Sequence, residues 1–258
     1  MMRFTFVPAL ELVAIVFSTT KLMSASIQFQ SAPTQTQLLE LYTSEGCSSC
    51  PPAEEWLSRL KKNSKLWKDF VPVAFHVDYW DYLGWKDRFA SEAYTQRQHA
   101  YANEWRNRSV YTPGFVLAGK ERRNGFNRDE LPAPSHLAVG TLTAKSENGD
   151  DWKIRFQPVA EKEASSYLIH AALLGFDRSS DVKAGENSGR KLQHDFVVLA
   201  LVETSATRDG TAFEGTLSLS PKSLSPRKTA FAAWVTPAKT LEPVQALGGW
   251  LPSAKLEQ

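Results

Sequence analysis

Two cysteines offer the clearest chemistry in this sequence. Cys47 and Cys50 are the only cysteines in 258 residues, and two serines separate them. Any disulfide within the chain must therefore join this pair, and it would close so short a loop that it would stabilise the fold very little. A pair at this spacing favours thiol–disulfide exchange, in which Cys47 attacks as a thiolate and Cys50 resolves the mixed disulfide.

The elements predicted around the pair are those that activate a thiol. Residues 38–42 predict a strand, residues 43–46 a turn and residues 53–62 a helix. Acidic residues begin this helix and basic residues end it, which suits the helix dipole. A thiolate on Cys47 would face the positive end of the helix, so we expect its pKa to fall towards neutrality.

A cysteine pair at this spacing has other known uses besides thiol–disulfide exchange. A closed zinc site needs two further ligands, and the five histidines are scattered without a second metal-binding spacing. Covalent haem attachment needs a histidine directly after Cys50, where the chain has Pro51. We therefore predict no cofactor and no metal ligand set. An inert disulfide, or a thiolate site for a soft metal such as Cu(I), stays open.

Composition and charge limit the class of protein. The chain is 42% apolar and 22% charged, as in ordinary globular proteins of one or two domains. Its net charge of +2 comes without a long basic run, so we predict no nucleic-acid partner. The sequence sets no oligomeric state.

The first 26 residues differ in character from the rest. Arg3 precedes a mostly apolar stretch, and small residues follow at 24–26, which is the layout of a secretory signal peptide over residues 1–26. We expect a periplasmic or secreted protein with no membrane span in its mature part. Such an oxidising compartment suits a redox-active cysteine pair.

The remaining chain is predicted to divide near residue 135. Residues 71–77 predict a buried strand that forms a parallel pair with the strand before the cysteines, and residues 110–126 predict a hairpin. From about residue 136, period-two alternation predicts an antiparallel sandwich or barrel. The alternating runs are 137–144, 152–156, 167–174, 196–202, 211–219 and 229–235. We therefore predict an α/β domain over 36–135 and an independent β-rich domain over 136–258.

The order of strand, C-x-x-C, helix, strand and Thr-Pro hairpin resembles the thioredoxin superfamily. In that superfamily the proline of the Thr-Pro pair is cis and faces the C-x-x-C. The resemblance implies that Thr112 and Pro113 lie against Cys47, with a cis bond before the proline. It also implies an α+β fold class, in which a thioredoxin-like α/β domain precedes the β-rich sandwich or barrel domain.

Longer motifs resemble a bacterial family of secreted proteins whose thioredoxin-like domain has no defined function. The motifs are C-S-S-C-P-P-A from Cys47, H-V-D-Y-W-D from His76, Y-T-P from Tyr111, and the segments 185–192 and 248–251. The chain departs from this family at Gly114, where glutamine is frequent.

The H-V-D-Y-W-D motif supplies two further candidates. His76 and Asp78 follow a strand at the edge where parallel sheets place ligands. Either side chain could assist proton transfer to and from the thiols. Their alternative role is to satisfy neighbouring polar groups by hydrogen bonding, which is commoner.

These observations predict an exported thiol–disulfide oxidoreductase that acts on a protein disulfide or a small thiol, in an undetermined redox direction. The predicted catalytic residues are Cys47 and Cys50, supported by Thr112, Pro113, His76 and Asp78. The alternative is a non-catalytic scaffold of the cell envelope with an inert disulfide.

Overall fold

A computed structural model describes residue 2 and residues 26–127, 130–160, 164–220 and 228–252. Apart from residues 2 and 26, the predicted signal peptide lies outside these ranges. Among the described residues, no helix has the length and apolar character needed to cross a membrane.

Strands dominate the described ranges, which contain two α-helices, α1 (Pro51–Arg59) and α2 (Glu92–Glu104). Short 3₁₀ helices occupy Leu60–Lys62 and Asp81–Leu83. The strands are β1 (Ile27–Gln30), β2 (Gln37–Thr43), β3 (Phe70–His76), β4 (Gly114–Leu117), β5 (Lys120–Glu121), β6 (Gly140–Ser146), β7 (Asp151–Pro158), β8 (Tyr167–Gly175), β9 (Arg178–Asp181), β10 (Lys191–His194), β11 (Val197–Ser205), β12 (Thr207–Asp209), β13 (Ala212–Ser218), β14 (Thr229–Pro237) and β15 (Gln245–Trp250).

The predicted fold class is wrong, because the protein is mostly β and sandwich-like. Within the described ranges the strands form an eight-stranded sheet in the order β15-β14-β8-β11-β3-β2-β4-β5, a five-stranded sheet in the order β1-β6-β7-β13-β12, and the pair β10-β9. The eight-stranded sheet crosses the predicted boundary near residue 135, and the described residues form no separate thioredoxin-like α/β domain. The strands from the two predicted domains meet where β11 pairs in parallel with β3. This pairing is short and runs through Val197 and Ala74.

The error has a physical cause in the central strands. Period-two alternation predicts half-buried strands with one solvated face at 167–174 and 229–235, the runs that correspond to β8 and β14. Both are buried along almost their whole length. Alternate residues of β8 enter different cores: Leu174 packs with β2, β3 and the helices, while Leu173 packs against the five-stranded sheet. A strand covered on both faces belongs inside a large sheet rather than in an independent sandwich.

The predicted β-α-β unit is present within this larger sheet. β2 and β3 pair in parallel from Gln37 and Phe70 to Thr43 and His76. α1 lies between them in the chain, and β4 pairs antiparallel with the other edge of β2. The carboxyl ends of β2 and β3 therefore lie side by side, and the segments that follow them build the candidate site.

Candidate redox site and its buried ionisable cluster

The cysteines lie between β2 and α1. Cys50 is the N-cap of α1, with Pro51 as the first helical residue, where a missing N–H costs no intrahelical bond. The Cys50 amide donates to the Cys47 carbonyl over 3.2 Å, so a tight turn places both sulfurs at the positive end of the helix. Both are free thiols, and their exposed fractions are 1% for Cys47 and 0% for Cys50.

The two thiols differ in acidity. A hydrogen bond from Cys50 lowers the pKa of Cys47 to about 6, and hydrogen bonds from Ser49 and Thr112 act in the same direction against the effect of burial. Burial and the neighbouring Cys47 raise the pKa of Cys50 well above its usual value. One sulfur of the pair is thus held as a thiolate near neutral pH, and the other as a thiol.

The Thr-Pro segment lies against Cys47. The predicted cis bond is confirmed between Thr112 and Pro113. The carbonyl oxygen of Thr112 lies 3.6 Å from the Cys47 sulfur, and the Trp80 indole donates to the Thr112 hydroxyl over 2.8 Å. At Gly114 a Cβ would lie 2.9 Å from the carbonyl oxygen of Tyr111, so a larger side chain at this position would require the backbone to shift.

The structure places His76 and Asp78 beside other polar groups. Asp78 accepts a hydrogen bond from the Thr95 hydroxyl over 2.6 Å, and His76 Nδ1 lies 2.7 Å from Asp87 Oδ2. Neither side chain hydrogen-bonds a thiol among the described residues. Their observed contacts match the hydrogen-bonding alternative given above.

His76 belongs to a buried ionisable cluster, which comprises Glu45, Glu54, His76, Asp87 and His194. All five residues are buried, with exposed fractions between 0% and 6%. His194 lies between two carboxylates: its Nδ1 contacts Glu54 Oε2, and its Nε2 lies 3.1 Å from Glu45 Oε1. The cluster adjoins the cysteine loop, which is the segment 44–50 between β2 and α1.

Ion pairing controls the protonation of this cluster. Burial alone would lower the pKa of His194, but Glu54 and Glu45 raise it to about 10. Burial would also lower the pKa of His76, but Asp87 and, to a smaller extent, Glu54 raise it above its usual value. Burial likewise would raise the pKa values of Glu54 and Asp87, yet their histidine partners lower both.

A loop from the second half of the chain holds the cysteine loop in place. In this 182–190 loop, Asn187 is fully buried, and its side-chain amide donates to the carbonyl oxygens of Glu45 and Cys47, each over 2.9 Å. Glu186 accepts from the Ser48 amide over 2.8 Å, and this hydrogen bond lowers the pKa of Glu186.

Sequence reasoning missed Glu45, Glu54, Asp87, Asn187 and His194. Glu54 carried a misleading signal, because an acid in a first helical turn suits the dipole whether it is exposed or buried. The segment 185–192 is visible as a motif, but its residue types alone indicate no chemistry. His194 and Asp87 carried no local signal, since contacts distant in sequence bring them to the site.

A groove of about 400 Å³ opens beside the cysteine loop. Its walls include Ser49, Pro113, Trp56, Phe126 and Arg123. Trp56 and Phe126 stack with ring centroids 4.4 Å apart and form an apolar wall. A substrate in this groove would lie beside the segments that cover Cys47.

A family model described as "Protein of unknown function (DUF1223)" matches residues 38–236. The chain belongs to the DUF1223 family. This finding confirms the resemblance to a family of unknown function, and no curated protein matches this DUF1223 chain.

Two solved structures resemble this DUF1223 protein. Protein AGR_C_4864 from Agrobacterium tumefaciens is 24% identical with a TM-score of 0.59, covering 87% of this chain and 97% of that one. HBP35 of Porphyromonas gingivalis is 14% identical with a TM-score of 0.57, covering 88% of this chain and 80% of the other. At these identities the likeness concerns the fold alone.

Proposed function

We propose that this protein is an exported thiol–disulfide oxidoreductase that acts through Cys47 and Cys50 on disulfides of proteins or small thiols. The observation that carries the proposal is the difference in acidity between two adjacent free thiols. Cys47 has a pKa lowered to about 6, whereas the pKa of Cys50 is raised. A nucleophile that is ionised and a resolving thiol that stays protonated are what sequential exchange requires.

The exchange proceeds in two balanced steps. The Cys47 thiolate attacks one sulfur of a substrate disulfide, which breaks that disulfide and releases a thiolate that takes a proton from water. Cys50 then loses its proton and attacks the Cys47 sulfur in the mixed disulfide, which releases the second substrate thiol. The Cys47–Cys50 disulfide has formed, and two electrons have passed to the substrate. Run in reverse, the same steps oxidise a dithiol substrate.

The surroundings of Cys47 support both reactivity and selectivity. Because only 1% of Cys47 is exposed, a bulky disulfide reaches the sulfur by displacing part of its cover. The groove beside Ser49 and Pro113 gives an apolar wall for the substrate segment next to its disulfide. The signal-peptide layout supports a periplasmic or secreted location, where disulfide substrates are found.

Alkylation of the reduced protein tests the proposal. We expect Cys47 to react first, with a rate that follows an apparent pKa near 6, and the Cys47→Ser variant to lose reduction of oxidised glutathione or insulin. The Cys50→Ser variant should accumulate a mixed disulfide, because the attacking thiol survives and the resolving thiol is gone.

Ser64→Ala, at an exposed serine outside the cysteine loop and the groove, is the matched control. It keeps both sulfurs and should retain exchange. Slow, equal alkylation of both thiols with no trapped adduct would instead assign the pair to an inert scaffold. Stoichiometric Cu(I) binding without exchange would assign it to a metal-thiolate site.

A further inference from the structure

Three metal-ligating side chains from separate parts of the chain meet beneath the cysteine loop. Glu54 lies on α1, His76 ends β3 and His194 ends β10. One potential ligand atom from each lies within 4.8 Å of the other two, and all three residues are buried. A carboxylate and two imidazoles in such proximity form a ligand set that suits several transition metals.

An unpaired nitrogen gives independent support for a ligand at this point. His76 Nδ1 lies 2.7 Å from Asp87 Oδ2, whereas the buried His76 Nε2 has no hydrogen-bond partner within the described ranges. A buried polar atom without a partner is costly and calls for an explanation. Metal-binding histidines typically donate their other ring nitrogen to a carboxylate or a carbonyl oxygen, which is the arrangement of His76 with Asp87.

The other two candidate ligands also contact polar groups outside the ligand set. His194 Nε2 lies 3.1 Å from Glu45 Oε1, which leaves Nδ1 on the side of Glu54. Glu54 Oε1 accepts from the Thr43 hydroxyl over 2.5 Å, while its Oε2 contacts His194. Hydrogen bonds with Asp87 and Thr43 thus orient His76 and Glu54, as outer partners do in protein metal sites, whereas Nε2 of His194 and Oε1 of Glu45 are at ion-pair distance without hydrogen-bond geometry.

We propose that Glu54, His76 and His194 bind a divalent transition-metal ion, for which Zn²⁺ is the best match. Zn²⁺ accepts nitrogen and oxygen ligands at about 2.0–2.2 Å, whereas Ca²⁺ and Mg²⁺ prefer oxygen alone. Binding draws the three ligand atoms together and replaces the hydrogen bond between Glu54 and His194. Because the ligands come from α1, β3 and β10, the ion joins the cysteine-bearing region to the second half of the chain.

The test uses a thiol-free protein, so that metal bound by the cysteines cannot be mistaken for this site. The Cys47→Ser/Cys50→Ser double variant, stripped with a chelator, should bind one equivalent of Zn²⁺ in a calorimetric titration. Its thermal midpoint should rise with free Zn²⁺, because the ion binds the native state. His76→Gln and His194→Gln in this background should each weaken binding at least tenfold, the range found for loss of supporting groups around metals.

His99→Gln is the matched control, because His99 is an exposed histidine of α2 and should leave binding unchanged. Circular dichroism checks that each variant is folded. Should a histidine variant fail to fold, Co²⁺ absorption of the double variant decides the question, with nitrogen and oxygen ligands and no sulfur charge-transfer band expected. No uptake by the double variant, or undiminished uptake by folded His76→Gln and His194→Gln, would overturn the proposal and leave a cluster neutralised by protons alone.

Discussion

Two buried regions of this protein contain different kinds of side chain. The core between the eight-stranded and five-stranded sheets is apolar, and at its centre Trp152 stacks on Phe231 with ring centroids 3.8 Å apart. The region at the carboxyl ends of β2 and β3 instead buries two thiols and five ionisable groups. Burying charged groups costs free energy unless they are paired. The comparison indicates that apolar packing stabilises the first region, whereas the second requires its buried ionisable groups to be paired.

Truncating the apolar core should have the largest effect on stability. Trp152→Ala removes a fully buried ring, and such changes cost about 3–5 kcal/mol of the free energy of unfolding. We expect denaturant unfolding to show this loss, while the alkylation pKa of Cys47 stays unchanged in the protein that remains folded. A shifted Cys47 pKa would contradict the expectation that the apolar region and the thiol region are independent of each other.

Removing the buried side-chain amide of Asn187 should affect both the stability of the fold and the alkylation of Cys47. Asn187→Ala leaves the carbonyl oxygens of Glu45 and Cys47 without this donor, at a cost of about 1–3 kcal/mol. Because the cysteine loop is then held less firmly against the groups that lower the Cys47 pKa, we expect a higher apparent pKa in the alkylation profile of Cys47 as well as a lower unfolding free energy. Ser188→Ala, which changes the next residue of the same loop, is the control, and equal effects of the two variants would contradict a specific role for Asn187.

The acidity of Cys47 should make the stability of the reduced protein depend on pH. A thiol whose pKa is lowered from 9.0 to about 6 on folding stabilises the native state fully above pH 9, and this contribution is lost as the pH falls through 6. The unfolding free energy of the reduced protein should therefore rise between pH 6 and 9 relative to Cys47→Ser. Parallel pH profiles for the two proteins would show that the thiolate contributes nothing to the native state.

The smallest effect is expected at Glu186. Its carboxylate accepts a hydrogen bond from the amide of Ser48, the residue that follows Cys47, so Glu186→Gln removes a negative charge and keeps a hydrogen-bond acceptor. We expect the Cys47 pKa to fall by a few tenths, with the difference shrinking at high ionic strength because the charge is exposed to solvent. The alkylation profile at low and high salt measures this change, and a rise in the Cys47 pKa would contradict the electrostatic explanation.

Local patterns in the sequence determined several features of this protein. Two cysteines between a strand and a helix predicted the position of the thiols, and the Thr-Pro pair predicted the cis bond that lies against Cys47. Alternation predicted strands in the second half, several of which appear near their predicted positions. These features depend on neighbours in the chain, so propensity and spacing were sufficient to find them.

Only the tertiary structure decided how these parts combine. Alternation does not reveal whether a strand is covered on one face or on both, so the continuous eight-stranded sheet was not predicted. The sequence likewise marked Glu54 as an ordinary acid of a first helical turn, whereas the fold buries it against His194, which is 140 residues away. Long-range packing sets the burial and pairing of ionisable groups, and these determine their chemistry.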